Sequence, residues 1–368
     1  MKRYRLMIYI TSTFLILTSC GQKESHRETV EKPDKKITVL DQVDKDGKIE
    51  VKDVQDINGV RAFQFSNENT MIVSKENKQF RSHNFDSKEV YAQNLATYNL
   101  KNKSTFVLHP SNEIQHAAKL SPNGEYLFYK VAKGEDTFGY IMNLQTKKTV
   151  KIKNVLLYPS SGEWLNNSEV MFITMEGKLS KANVKGEAEP LLHRDDRILD
   201  AVKGIGGIYY IGVNNQLFFL HNEQTDPEKI RDNVISIIPS PNGKQLALVQ
   251  QKDAQTRTLS ITDLKGSEAF QLALSTQIFG VSWSPDGSKL AYNFISEKEG
   301  DKGIFIADGL TGDVTHLNVN LDYAADQLAW SQSGNKLVAS SFTQNQVHTY
   351  IIFFEIDCLG SLFLFFTP

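Results

Sequence analysis

An all-β fold built from repeated four-stranded units is predicted by three observations. One turn sequence recurs along the chain, an apolar strand precedes and follows each copy, and no segment carries a convincing amphipathic helical period. The turn is spelled Ser121-Pro122-Asn123-Gly124, Ser240-Pro241-Asn242-Gly243 and Ser284-Pro285-Asp286-Gly287, with Ser331-Gln332-Ser333-Gly334 as a fourth copy. Weaker copies stand at Ser66-Asn67-Glu68-Asn69 and Leu165-Asn166-Asn167-Ser168. Ser240 and Ser284 lie 44 residues apart, and Ser284 and Ser331 lie 47 apart. The longer gap from Leu165 to Ser240 holds a degenerate unit around Gly204-Ile205-Gly206-Gly207. Seven units result, six being the alternative count, and a period of about 40 to 45 residues with four strands per unit is that of β-propeller blades.

The spelling of the turn has a mechanical reason. Proline presets the φ of the second turn position, Asn or Asp suits the third, and glycine takes the left-handed conformation that returns the chain antiparallel. Ser121, Pro122, Gly124, Ser240, Pro241, Gly243, Ser284, Pro285, Gly287 and Gly334 are therefore expected to shape hairpins, not to bind a ligand. Before the turns, in one register, stand Phe65, Leu120, Trp164, Trp283 and Trp330, with Pro239 as the exception. All three tryptophans of the chain occupy this slot. So large a buried area in one repeating position is expected to pack adjacent units together. Second hairpins follow at 98–103, 142–147, 261–266 and 306–312, rich in turn-forming residues.

The ends of the chain read differently. Lys2, Arg3 and Arg5 precede an apolar run from Leu6 to Leu17, which is long enough for a secretory signal but too short to span a bilayer. From Gln22 to Lys36, nine of fifteen residues are charged, so this stretch reads as a flexible tether. Ile37-Thr38-Val39-Leu40 and 48–54 alternate at period two around Asp46-Gly47, which predicts a lead-in hairpin. The expected organisation is a signal peptide at 1–19, a tether at 20–36, lead-in strands at 37–57 and a propeller at 58–368. The apolar tail from Tyr350 to Phe366 contains Glu355 and Asp357, which argues against a membrane helix. It is expected to supply the last two strands of the seventh unit.

Composition narrows the chemistry. A net charge of −2 gives no reason to expect nucleic acid. The two cysteines are Cys20 and Cys358. No phosphate-cradling glycine loop and no nucleophile elbow is present. The eight histidines are scattered without zinc-ligand spacing, so no metal, cofactor or catalytic residue is predicted. Asp44-Lys45-Asp46-Gly47 fails the calcium-loop pattern at its first and twelfth positions and reads as a charged turn, as Asp195-Asp196 beside His193 reads as a solvated loop.

Two resemblances add to this. Leu17-Thr18-Ser19-Cys20-Gly21 resembles the bacterial lipobox, which implies cleavage between Ser19 and Cys20, with diacylglyceryl and N-acyl groups on Cys20. Two or more acyl chains anchor stably where one is marginal. Once Cys20 is lipidated, only Cys358 remains and no intramolecular disulfide is possible. The run Val281-Ser282-Trp283-Ser284-Pro285-Asp286-Gly287-Ser288-Lys289-Leu290-Ala291-Tyr292 resembles the blade repeat of TolB-like and WD-repeat-like bacterial propellers. The resemblance covers roughly residues 58 to 366. Together they imply a lipoprotein on the extracytoplasmic face of a bacterial membrane, whose propeller binds an envelope protein, a glycan or a small ligand. The alternative is a propeller enzyme of hydrolase, lactonase or glycosidase type, with its site at the mouth of the central channel.

Overall fold

The structure is a computed structural model that describes residues 27–32, 35–40, 49–83, 89–192, 197–222, 224–295, 302–317, 319, 324–343 and 346–355. The chain divides into two units, 1–48 and 49–368. In the first, β1 (Arg27–Lys32) pairs antiparallel with β2 (Lys35–Leu40). The charged stretch read as a tether therefore contains one strand and contributes to a second. The signal peptide, Cys20, the turn at 44–47, the loop at 193–196 and Cys358 lie outside the described residues.

The second unit opens with β3 (Glu50–Asn58) and continues through seven four-stranded antiparallel sheets. The first comprises β4 (Val60–Asn67), β5 (Thr70–His83), β6 (Glu89–Asn99) and β7 (Thr105–Val107). The second comprises β8 (Ile114–Leu120), β9 (Tyr126–Lys133), β10 (Asp136–Asn143) and β11 (Thr149–Lys151). Next come β12 (Glu163–Trp164), β13 (Glu169–Ile173), β14 (Leu179–Asn183) and β15 (Ala188–Pro190), then β16 (Ile198–Gly204), β17 (Gly207–Gly212), β18 (Leu217–His221) and β19 (Glu228–Arg231). The fifth comprises β20 (Val234–Pro239), β21 (Leu246–Gln251), β22 (Arg257–Thr262) and β23 (Glu268–Ser275). The sixth comprises β24 (Gln277–Trp283), β25 (Lys289–Ile295), β26 (Lys302–Asp308) and β27 (Val314–His316). The seventh is β28 (Gln327–Trp330), β29 (Lys336–Thr343), β30 (Gln346–Glu355) and, as its fourth strand, β3. A single parallel bridge from Gln93 to Ile114 joins the first two blades.

Seven apolar clusters lie between successive blades and close the ring. Tyr129, Leu127 and Val131 of β9 pack against Phe63 and Leu95 of the first blade, while Phe128 packs with Trp164 and Val170 of the third. The seventh and first blades meet through Val338 and Ile351 against Ala62, Met71 and Val73. A strand covered on both faces has no solvated side, which is why the second strands read as continuous apolar runs instead of alternating ones. The fold is therefore an all-β, seven-bladed β-propeller.

Ring closure corrects two expectations. The lead-in hairpin between 37–40 and 48–54 is not formed: β2 pairs with β1, while β3 pairs along its length with β30, from Glu50 opposite Glu355 to Asn58 opposite His348. Tyr350 to Glu355 lie in the third strand of the seventh blade, and the fourth comes from the opposite end of the chain instead of from the tail. Period-two alternation reports that a segment is a strand, but not which edge it joins. An edge left open on β30 would expose a row of unpaired backbone groups, and β3 covers it.

The repeated turns owe their serines to hydrogen bonding. In each full copy the buried hydroxyl accepts the N–H five residues on: Tyr126 to Ser121 at 3.0 Å, Gln245 to Ser240 at 3.0 Å, Lys289 to Ser284 at 2.9 Å and Lys336 to Ser331 at 3.2 Å. Gly243 carries φ +65° with the Ile205 side chain lying directly over it, so both the turn and the close approach require glycine there. The tryptophans do more than fill space. Trp164, Trp283 and Trp330 donate their indole N–H groups to Lys119, Ile238 and Ser282 carbonyls at 2.9, 2.9 and 3.0 Å, each on the first strand of the preceding blade. One residue type thus buries an apolar face and ties two blades together.

Candidate functional site at the channel wall

The first strands of successive blades lie against one another all the way round, so β4, β8, β12, β16, β20, β24 and β28 form the wall of the central channel. Two cavities lie along that wall and share Lys119. The larger, of about 610 Å³, is bounded by Lys119, Glu163, Asp200, Val202 and Ile237 from the first strands of four consecutive blades. Pro239, Ser240, Pro241 and Gly243 of a repeated turn border it, which sets it at the mouth on the face where those turns gather.

Charge of both signs meets at this mouth. Glu163 Oε2 accepts the Lys203 N–H at 3.2 Å, and Asp200 Oδ1 accepts the Ala201 N–H at 2.9 Å. Desolvation pushes the Asp200 carboxyl above its ordinary range. The Ala201 N–H and the Lys119 ammonium work against that shift, and the Glu163 carboxylate adds to it.

The second cavity, of about 370 Å³, is bordered by Gln64, Ala117, Lys119, Lys130, Gln327 and the 159–162 connection into β12. Lys130 is only 2% exposed and donates from Nζ to the Pro159 carbonyl at 2.6 Å. Burial, with the Lys119 charge nearby, brings its ammonium down to about 7. His116 stands opposite Lys130 in the β8–β9 register, and burial together with the Lys130 and Arg61 charges brings it down to about 4. A bulge between His116 and Lys119 places Ala117 at φ +51° and shifts the register ahead of Lys119. Arg61 itself pairs with Asp326 at 2.9 Å across the junction of the first and seventh blades.

None of the turn residues singled out in the sequence supplies a functional group to these cavities, although Ser240, Pro241 and Gly243 form part of the rim. Lys119, Lys130, His116, Glu163 and Asp200 were not singled out by motif. A signal for Lys130 exists: it is the one charged residue within the otherwise apolar Tyr126-Leu127-Phe128-Tyr129-Lys130-Val131 strand, where both faces are covered. Among the described residues, no three His, Cys, Asp or Glu side chains come together as a metal site.

No protein-family model matches the chain, and no curated protein matches it in sequence. Solved structures place it in the β-propeller class. An oligogalacturonate lyase in complex with manganese superposes with a TM-score of 0.60 at 12% identity, covering 82% of this chain and 91% of that one. An oligogalacturonate lyase from Vibrio parahaemolyticus gives 0.60 at 12% identity over 89% and 96%. The Swd1 propeller domain of Myceliophteria thermophila gives 0.58 at 11% identity over 82% and 99%. At such identities the likeness shows the fold alone.

Proposed function

We propose that this protein is a membrane-anchored extracytoplasmic lipoprotein whose propeller is a binding module of the bacterial cell envelope. The anchor is a lipid on Cys20 after cleavage behind Ser19, and the support for it is the agreement of the positive start, the short apolar run and the cysteine. The binding role rests on the mouth cavity, where the first strands of three blades present Lys119, Glu163, Asp200 and Lys203, and that of a fourth adds Ile237 and Ile238 to the apolar lining with Val202. Convergent polar groups over an apolar lining are what a binding site for a protein loop, glycan or small ligand needs.

A second reading has its own observation. Asp200 and Glu163 are two carboxyl groups in one cavity, one of them driven up by burial, which is how acid and base roles are separated in an enzyme. One experiment addresses both. A photo-crosslinking residue at position 202 in intact cells is expected to capture a discrete envelope component, and the yield is expected to fall in Asp200→Asn. Turnover of a glycan substrate panel that disappears in both Asp200→Asn and Glu163→Gln would replace the binding reading with the enzymatic one. Labelling with a palmitate analogue tests the anchor separately: the label is expected on the native chain and absent from Cys20→Ala.

A further inference from the structure

We propose that the inner cavity beside Lys130 is a proton-linked site for a small carboxylate ligand. The inference deepens the binding reading by naming the chemistry of one ligand, and it rests on that reading.

The charge around this cavity is unbalanced. Among the described residues bordering this cavity two are lysines and none is acidic. Lys130 makes no ion pair among the described residues, and its ammonium is held by a neutral carbonyl, that of Pro159. Buried cations are ordinarily paired, and one left unpaired is costly. The charged and titratable groups around it are His116 and Lys119 on β8, with Arg61 on β4 beside His116. All three are basic. Arg61 is already matched by Asp326, and Lys119 is exposed and acts on Asp200, so the unmatched buried positive charge is that of Lys130.

The cavity has room for an occupant. At about 370 Å³ it falls within the range of small-ligand sites. The Gln64 and Gln327 amides and the Ser160 hydroxyl lie around it and suit the remaining polar groups of a hydroxylated molecule. One buried ammonium neutralises one negative charge. A monocarboxylate therefore fits better than a phosphate dianion, whose second charge would stay uncompensated and expensive to dehydrate.

The proton linkage follows from the state of Lys130, which is largely neutral above about 7 and charged below it. A carboxylate bound beside it favours the charged form, so binding takes up a proton and weakens as pH rises through 7. The limiting slope is about tenfold per pH unit for one linked proton.

Titration calorimetry of the full chain with gluconate, using glucose and inorganic phosphate as comparison probes, tests this. Gluconate is expected to bind at pH 6 and to weaken at least tenfold by pH 8.5. Heats in buffers of different ionisation enthalpy are expected to report proton uptake, and glucose and phosphate are expected to bind far more weakly. Lys130→Met is expected to abolish gluconate binding while the domain still melts cooperatively, and Lys130→Arg to retain binding without the pH dependence. Absence of gluconate binding at pH 6, binding equal for glucose, or binding unchanged in Lys130→Met would overturn the inference. Crosslinking from position 202 would survive that result, so the wider binding reading stands or falls by its own test.

Discussion

The junction between the seventh and first blades and the junction between the fifth and sixth are built from different materials. The latter is mainly apolar: Val249, Leu259, Trp283, Leu290 and Tyr292 fill it, and Phe294 and Phe305 stack at 4.5 Å beside them. Its polar links lie at part-buried or exposed margins, as with the Trp283 indole to the Ile238 carbonyl, Gln245 to the Gly309 carbonyl, the Thr276 hydroxyl to the Ile295 carbonyl and Asn242 to the Asp286 carbonyl in the next turn. The closing junction also has a core, but it is threaded with polar contacts. Thr349 Oγ1 lies 2.7 Å from both the Ser340 hydroxyl and the Val60 carbonyl, and the Ala62 N–H reaches Ser340 at 3.1 Å. On the turn face, Glu68 accepts Lys336 and Ser333 at 2.9 Å each. Consecutive blades are held near one another by the chain itself, whereas the first and last have to find each other across the whole domain. Directional hydrogen bonds fix the register of that long-range meeting, which apolar contacts alone specify loosely.

Removing the closing strand tests this contrast most severely. Deletion of residues 50–58 is expected to eliminate cooperative melting, because β30 loses its partner and the ring its fourth strand in that blade. A deletion variant that melts as one transition at the parental temperature would show that β3 is an accessory.

Next in size is a turn at the apolar junction. Gly287 sits at φ +70° with the Asn242 side chain against it, so Gly287→Val is expected to cost about 2 to 3 kcal/mol. Ser288, whose hydroxyl reaches only Asp286 in its own turn, sets the comparison: Ser288→Ala is expected to cost less than about 1 kcal/mol. Equal shifts in chemical denaturation would mean that this turn does not need its left-handed residue.

Thr349→Val then probes the polar thread with little change of shape. It strands the buried Val60 carbonyl and part of the Ser340 hydroxyl, for an expected loss of about 1 to 3 kcal/mol. The matching apolar trimming Val249→Ala is expected to act through cavity formation instead, and a neutral Thr349→Val would show that closure is apolar after all.

The smallest effect belongs to Glu68, whose side chain is 35% exposed. Burial is the largest single influence and raises its carboxyl, but the hydrogen bonds from Lys336 and Ser333, with the Lys336 charge, together outweigh it and hold it below the ordinary range. A depressed carboxyl contributes stability above its unfolded value near 4.5 and loses it as pH falls through the folded value. Glu68→Gln is therefore expected to cost under about 1 kcal/mol at pH 7, and the cost is expected to shrink as the solution is acidified toward pH 3, read from paired urea titrations. A cost that persists undiminished at pH 3 would show that the carboxylate charge is irrelevant to closure.

The sequence by itself determined the all-β class, the repeated unit and the hairpin at each repeated turn, because proline, glycine and serine act on residues within five positions of themselves, while the choice of seven units over six waited for the ring. The tryptophan slot was legible for the same reason, since a repeating large residue implies a repeating contact. The partner of β3 was not legible: residues 48–54 alternate equally well for a local hairpin and for an edge on β30, and only assembly of the ring offers that edge. The channel wall was hidden in a further way. Lys119, Lys130, Glu163 and Asp200 come from three separate blades, and a site made by convergence has no spacing along the chain. Only the tertiary structure decided that Lys130 would be sealed beside a cavity with no acid among its described lining residues, because burial and charge balance are properties of neighbours that the ring brings together.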